Sequence, residues 1–411
     1  MTDKEFKKYF SGFTFGGSES QKIKTKIEYF ECSGTLVSRY VNEYWTSKQR
    51  QSNPLHEISY RACYKAELPR FFIQLLSKEN DIVYDPFAGR GTTIIEAALL
   101  NRNIIANDIN PLSIILAKPR LFIPYQEEVA ERLSKIKFRG GLKAKIDLSM
   151  FYHPETESEI VSLRNYLIRK KKNDEEDFVD SWIRMVATNR LTGHSKNFFS
   201  VYTLPPNQAV TQERQVRINR LRGQKPEYKD VKFIILKKTR NLTSGLNKDI
   251  VNQLKRIGNK TKFLNEDARC TPKIKSNSVN LTVTSPPFLD IVNYVEDNWL
   301  RCWFNNINTK AVVDKITVTS KLENWQKIMG EVFIELYRIT KKGGFGAFEV
   351  GEVKKGKIKL DEHVVPLGLK AGFECPGVIV NLQKFTKTAN IWGINNNSIG
   401  TNTNRIVIFR K

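Results

Sequence analysis

The sequence predicts an α/β fold in which a doubly wound sheet is interrupted by a large, mainly helical, basic insertion. Three observations carry this expectation. A short apolar run ends in a Gly-rich turn that opens a helix, a second apolar run ends in an acid, and the same rhythm returns after residue 260.

Residues 1–54 mix charged and aromatic side chains without a clear period and support no assignment. From Glu67 the pattern becomes readable: Leu68, Phe71, Phe72, Leu75 and Leu76 recur at helical spacing, after Tyr60 and Tyr64. Ile82-Val83-Tyr84 reads as a strand, Asp85 to Thr93 as the Gly-rich turn, and Ile94–Leu100 as a helix. A second strand, Ile104-Ile105-Ala106, closes on Asn107-Asp108. Strand, turn, helix, strand and acid make the first βαβ unit of a Rossmann-like sheet, and we assign residues 55–120 to it.

Residues 121–260 form the expected insertion, which interrupts the sheet. Helices are expected near 125–137 and 156–171, followed by a loop-like stretch from Thr192 to Asn207. The segment 211–262 then carries fifteen Lys and Arg against four acids. In residues 261–411 the α/β rhythm resumes. Phe263-Leu264 ends in Asn265-Glu266-Asp267, and Val279–Val283 leads into Thr284-Ser285-Pro286-Pro287-Phe288. A helix near 323–339 is expected to end at Lys341-Lys342-Gly343-Gly344, because basic residues and then glycine suit a helix C-terminus. Phe345–Val350, Val378–Leu382 and Ile406–Phe409 supply the last strands.

Composition narrows the function. The 411 residues carry a formal net charge of +24, which points to a polyanionic partner, nucleic acid before anionic membrane. A 40% apolar content is enough for a core, yet no apolar run is long enough to span a membrane. The N-terminus has no apolar stretch of the kind a secretory signal needs. Five scattered cysteines suit a reducing cytosol, and four histidines show no metal spacing, so a cytoplasmic, nucleoid-associated protein without metal is expected.

The chemistry is carried by two strings. Gly89 and Gly91 let the backbone turn sharply and approach a ligand, and the helix that follows presents amides to negative charge. Asp108 ends the second strand, where an acid commonly takes ribose hydroxyls. Together, Asp85-Pro86-Phe87-Ala88-Gly89-Arg90-Gly91-Thr92-Thr93 and Ser285-Pro286-Pro287-Phe288 resemble the cofactor and catalytic motifs of the amino-group DNA methyltransferases. Those enzymes use S-adenosylmethionine, and the Ser-initiated form is typical of the cytosine-N4 type.

The resemblance covers about 55–120 and 260–411. It implies the class I methyltransferase fold: a seven-stranded sheet with helices on both faces and one late strand antiparallel. It also implies a site-specific DNA methyltransferase acting on the N4 amine of cytosine by base flipping, as the methylase of a restriction–modification system. Adenine N6 in DNA, or a base amine in RNA, would use the same chemistry, whereas an inert DNA-binding specificity component would use none.

The implied cofactor set is Tyr64, Asp85, Phe87, Gly89, Gly91, Thr92, Thr93, Asp108, Ile109, Asp267 and Ala268, with Leu68-Pro69 as an alternative to Tyr64. The catalytic set is Ser285, Pro286, Pro287 and Phe288. Ser285 and the carbonyls around Pro286 would accept both amine N–H groups, and Phe288 would stack on the base. Asn293 and Tyr294 could border the base pocket. Arg214, Arg217, Arg220 and Arg222 are the expected DNA contacts. Double-stranded DNA is the expected partner, with a cognate restriction endonuclease as a second; no metal is required. The cofactor motif precedes the catalytic motif here, whereas many cytosine-N4 enzymes have the reverse order. The insertion falls between the second and third strands. Leu204-Pro205-Pro206-Asn207 is a decoy that lacks the polar first residue and aromatic last residue of the catalytic string.

Overall fold

The computed structural model describes residues 1–15, 23–32, 34–45, 53–61, 63–205, 208–287, 296–313, 319, 321–353, 358–382 and 403–411. The chain starts with α1 (Asp3–Gly12), a small hairpin of β1 (Thr14–Phe15) and β2 (Ile23–Lys24), and the pair β3 (Lys26–Cys32) and β4 (Thr35–Asn42). The first βαβ unit comprises α2 (Glu67–Leu76), β5 (Ile82–Asp85), α3 (Thr92–Leu99), β6 (Asn103–Asn107) and α4 (Leu112–Ala117). Six helices follow before the next strand: α5 (Gln126–Lys135), α6 (Pro154–Lys172), α7 (Phe178–Arg190), α8 (Gln212–Arg222), α9 (Val231–Leu242) and α10 (Lys248–Lys260). The last part contains β7 (Lys262–Leu264), β8 (Val279–Thr284), α11 (Trp299–Phe304), α12 (Thr309–Val313), α13 (Leu322–Ile339) and β9 (Thr340–Val350). It closes with the short pair β10 (Glu352–Val353) and β11 (Ile358–Lys359), then α14 (Leu360–Ala371), β12 (Glu374–Leu382) and β13 (Thr403–Arg410).

The main sheet has nine strands in the order β3-β4-β12-β13-β9-β8-β5-β6-β7. From β12 to β7 this is the expected seven-stranded, doubly wound arrangement. β13 runs antiparallel between β9 and β12, while β9, β8, β5, β6 and β7 are mutually parallel. The other two strands come from the N-terminal segment that the sequence left unassigned. β4 joins the β12 edge in parallel, with Val378 opposite Arg39, and β3 hairpins back against it. Lys26, Glu28 and Glu31 charge this outer strand, which discourages edge-to-edge association.

The alternating period of the strands divides the core into two layers. Val83, Ile104, Ala106, Leu281, Val283, Ile406 and Ile408 face α1, α2, α3, α4 and the insertion helices. Tyr84, Ile105, Val378, Val380, Val407 and Phe409 face α13 and α14. Short apolar strands buried on both sides are what a parallel sheet covered by helices requires. One local expectation fails: α13 ends at Ile339, and Lys341 to Gly344 belong to β9. The chain leaves the helix in extended conformation at Thr340, so a basic, glycine-containing stretch that suited a helix end became the first part of a strand.

Candidate active site

The Gly-rich turn is built by local geometry. Gly91 caps α3 at φ +83°, and a Cβ there would lie 2.7 Å from the Ala117 Cβ of α4. Gly91 is therefore required by close packing against α4. Gly89, at φ +51°, has its N–H directed to Asp108 Oδ2 at 2.7 Å. The Asn110 N–H donates to the other oxygen, Asp108 Oδ1, at 2.8 Å. Burial pushes the Asp108 carboxyl up to about 6, against the pull of these two backbone hydrogen bonds.

The segment before α2 is laid over this turn by arginines. Arg90 Nη1 donates to the carbonyls of His56 and Ile58, and the fully buried Arg120 donates to the carbonyls of Leu55 and Arg90. These contacts bring Tyr60 to the lining of a cleft whose empty space, open solvent included, is about 890 Å³. Pro86, Phe87, Gly89, Asp108, Ile109, Asn110, Asp267, Ala268, Ser285 and Pro287 also line it. Ile328, Met329 and Val332 of α13 form an apolar wall.

The expected cofactor residues thus divide into two groups. Phe87, Gly89, Asp108, Ile109, Asp267 and Ala268 line the cleft. Tyr64, Asp85, Gly91, Thr92 and Thr93 do not; they form the scaffold behind it. Asp85 accepts hydrogen bonds from Thr284 Oγ1 at 2.6 Å, from the Phe87 N–H at 3.1 Å and from Tyr64 OH at 3.1 Å. Thr93, which also bonds Tyr64 OH, donates to the Val283 carbonyl at 3.2 Å. Burial raises Asp85 to about 6 in spite of these donors. The network fastens the end of β5 to the end of β8, so the two motifs open on the same cleft. Thr92 takes a hydrogen bond from Arg90, and Leu68 and Pro69 pack in the core.

Asp267 is gripped by Arg269, whose Nη2 lies 2.6 Å from Oδ2. Burial opposes its ionisation, but the Arg269 hydrogen bonds outweigh that and hold the carboxyl below its usual range.

On the catalytic side, Ser285 and Pro287 face the cleft and Pro286 is buried; Phe288, Asn293 and Tyr294 lie outside the described residues. Two further residues hold this turn, and neither belongs to the recognised strings. The indole of Trp325, on α13, donates to the Pro287 carbonyl at 2.9 Å. Glu349, near the end of β9, takes a hydrogen bond from Ser285, and Asn404 Nδ2 donates to its Oε1 at 2.9 Å. Burial raises the Glu349 carboxyl above its usual range, although both hydrogen bonds oppose the shift. Only a signal of spatial adjacency could have found these two, because they stand 40 and 64 residues beyond Ser285.

Arg214, Arg217 and Arg220 are exposed on the outer face of α8. Arg222 is exposed too, but its guanidinium stacks over the Tyr202 ring at 3.9 Å. None of the four lines the cleft.

Residues 5–118 match the family described as DNA methylase, of the N6/N4 type. Over these residues, a little over a quarter of the chain, it is similar to the N6/N4 DNA methylases. The match takes in most of α1 and all of β3 and β4, so the N-terminal segment lies within the matched region. Over 340 residues the chain is 22% identical to the Type II methyltransferase M.BsoBI of Geobacillus stearothermophilus, covering 75% of this chain and 64% of that relative. It is 29% identical over 91 residues to the Type II methyltransferase M.MjaII of Methanocaldococcus jannaschii, covering 22% of this chain and 16% of that one. The chain therefore spans less than two thirds of the length of either. The rRNA methyltransferase AviRa of Streptomyces viridochromogenes is 10% identical, with a TM-score of 0.34 over 87% of this chain and 89% of its own. That likeness is too low to add to the strand order.

S-adenosylmethionine is the cofactor that the likeness to DNA methylases implies, and the cleft fits it. Its apolar wall suits a purine ring. Two buried polar atoms at its rim, Asn110 Nδ2 and Glu266 Oε2, have no partner within the described residues. A donor and an acceptor left over in a buried site are what a nucleoside would satisfy. Among the described residues no cluster of His, Cys, Asp or Glu could hold a metal ion, and no helix is long and apolar enough to cross a membrane.

Proposed function

We propose that this methylase transfers a methyl group from S-adenosylmethionine to the exocyclic amine of a base in duplex DNA, with cytosine N4 as its target. The observation that supports this best is that Ser285 and Pro287 open onto the same cleft as Gly89, Asp108 and Asp267. Asp108 keeps lone pairs that would take ribose hydroxyls, and Phe87, Ile109, Met329 and Val332 would hold the adenine. The sulfonium of the bound cofactor supplies an electrophilic methyl group.

The amine nitrogen must turn its lone pair out of conjugation with the ring, so acceptors are needed for both of its N–H groups. Ser285 Oγ and the Pro286 carbonyl meet that need. The Pro287 carbonyl already accepts from Trp325, which takes up one of its two lone pairs and leaves the Pro286 carbonyl as the second acceptor assigned to the amine. A serine hydroxyl is both donor and acceptor. Because Ser285 gives its hydrogen to Glu349, its lone pairs remain for the substrate amine. A serine is too weak a base to deprotonate the amine beforehand. The proton therefore leaves after transfer, and Ser285 connects its point of release to the Glu349 carboxyl.

The target base cannot be reached inside a duplex, so the nucleotide must flip out. Both curated relatives are Type II methyltransferases by name, which supports a role beside a restriction endonuclease. The test is incubation with labelled S-adenosylmethionine and plasmid DNA, followed by nucleoside analysis. Label in N4-methylcytosine is expected; label in N6-methyladenine would move the target to adenine. No label across varied DNA would refute the enzyme.

A further inference from the structure

The insertion holds a feature that the cofactor and catalytic sites do not use. Between α7 and α8 the chain makes a closed loop, Thr192–Thr203. Gly193 and Tyr202 form a parallel bridge, and the Thr203 N–H donates to the Gly193 carbonyl at 3.1 Å. Phe198 and Phe199 turn inward and are buried, and Arg190 stacks on the Phe198 ring at 3.9 Å. A Cβ on Gly193 would lie 2.5 Å from that ring, so the base of the loop is closely packed. The Phe199 N–H donates to the Arg190 carbonyl, and the Val201 N–H to that of Phe151, each at 2.9 Å. On this base the four-residue tip, His194-Ser195-Lys196-Asn197, is exposed.

The residues that flank the loop are tied to the segment before α2 and to the start of α11. Just before it, Asn189 Nδ2 donates to the Ser59 carbonyl, next to Tyr60 at the cleft. Just after it, the Ala209 N–H donates to the Asp297 carbonyl at 2.9 Å, and Trp299 Nε1 donates to the Val210 carbonyl at 3.1 Å. Residues 297–299 follow the segment that contains the catalytic string. α8 grips the loop from its other flank. Gln215 and Gln224 both donate to the Tyr202 carbonyl, and Arg222 stacks on the Tyr202 ring. The inner face of α8 is thus spent on holding the loop. Arg214, Arg217 and Arg220, at spacings of three residues, lie on its outer face. From Thr192 to Lys225 the chain has six basic residues and one acid.

Resting on the DNA-methylation reading above, we propose that Thr192–Thr203 is the finger that reads the DNA bases beside the flipped nucleotide, and that α8 is its phosphate clamp. A polar tip on a rigid base suits base edges, because its side chains need not be ordered by the rest of the loop. Lys and Asn are the side chains that pair with the acceptor and donor–acceptor edges of purines. The two elements have different expected signatures, since phosphate contacts set affinity and base contacts set sequence choice.

The experiment compares wild type, Lys196→Ala/Asn197→Ala and Arg214→Ala/Arg217→Ala/Arg220→Ala on one plasmid library. Methylated positions are read by methylation-aware sequencing, duplex binding by salt titration, and cofactor affinity by calorimetry. The tip variant should retain cofactor affinity and the wild-type salt slope, while its preference for the wild-type sequence over near-matches falls roughly 5- to 150-fold. Loss of methylation and duplex binding with cofactor affinity intact would also place the tip on DNA. The α8 variant should keep the sequence preference, bind all duplexes more weakly, and lose about one unit of salt slope per arginine. Unchanged selectivity and rate in the tip variant, or a loss of cofactor affinity, would overturn the assignment. If the wild type itself methylates no DNA, the underlying reading falls instead, and the two failures are told apart by the wild-type lane.

Discussion

Trp325→Phe is the sharpest probe of how the catalytic turn is held. The indole N–H donates to the Pro287 carbonyl at 2.9 Å, and Trp325 is only 3% exposed. Phenylalanine keeps a ring in the packing of α13 and removes the donor alone. Leaving a buried carbonyl without its partner costs about 1–3 kcal/mol. If the turn relaxes to recover that energy, Ser285 and the Pro286 carbonyl move away from the amine they must align. With each 1.36 kcal/mol worth about tenfold in rate, turnover should fall roughly 5- to 150-fold. Trp325 does not line the cleft, so cofactor affinity should stay within about twofold of wild type. The assay is single-turnover methyl transfer to plasmid DNA, with calorimetric titration of S-adenosylmethionine alongside. A rate within twofold of wild type, or an equal loss of cofactor affinity, would refute this account of the turn.

Glu349→Leu removes the acceptor of the Ser285 hydroxyl and should lower turnover about tenfold or more, with cofactor affinity unchanged; matched kcat values would show that Ser285 needs no partner. Asp108, raised to about 6 by burial, is the expected acceptor of ribose hydroxyls, a role that its ionised form fills best. Cofactor affinity should therefore be flat above pH 7 and weaken as pH falls through 6, and Asp108→Asn should lower it and remove the dependence; isothermal titration from pH 5 to 8 checks both. Gly91→Ala places a Cβ 2.7 Å from that of Ala117 at φ +83°, so left-handed strain and overpacking together should destabilise the fold by roughly 2–5 kcal/mol. Urea unfolding measures that loss, and a change under 0.5 kcal/mol would contradict it.

Much of the fold was written locally. The apolar runs at Ile82–Tyr84 and Ile104–Ala106, the glycines between them and the closing acid are short-range signals, and each became the expected element. β3 and β4 were not legible, because their residues alternate poorly: β4 gains its place only by joining β12, more than 330 residues away, and β3 by pairing with β4. Lys341 to Gly344 misled for a related reason: a basic, glycine-rich stretch suits a helix end or a strand entry, and the pairing of β9 with β8 decides. The sequence by itself determined the chemistry that is proposed, because the Gly-rich turn and the Ser-Pro-Pro string need particular residue types at fixed spacing. Only the tertiary structure decided which members of those strings face the cleft and which brace it. It also brought in Tyr60, Trp325 and Glu349, whose roles are hydrogen bonds and contacts across the sheet that no local pattern records.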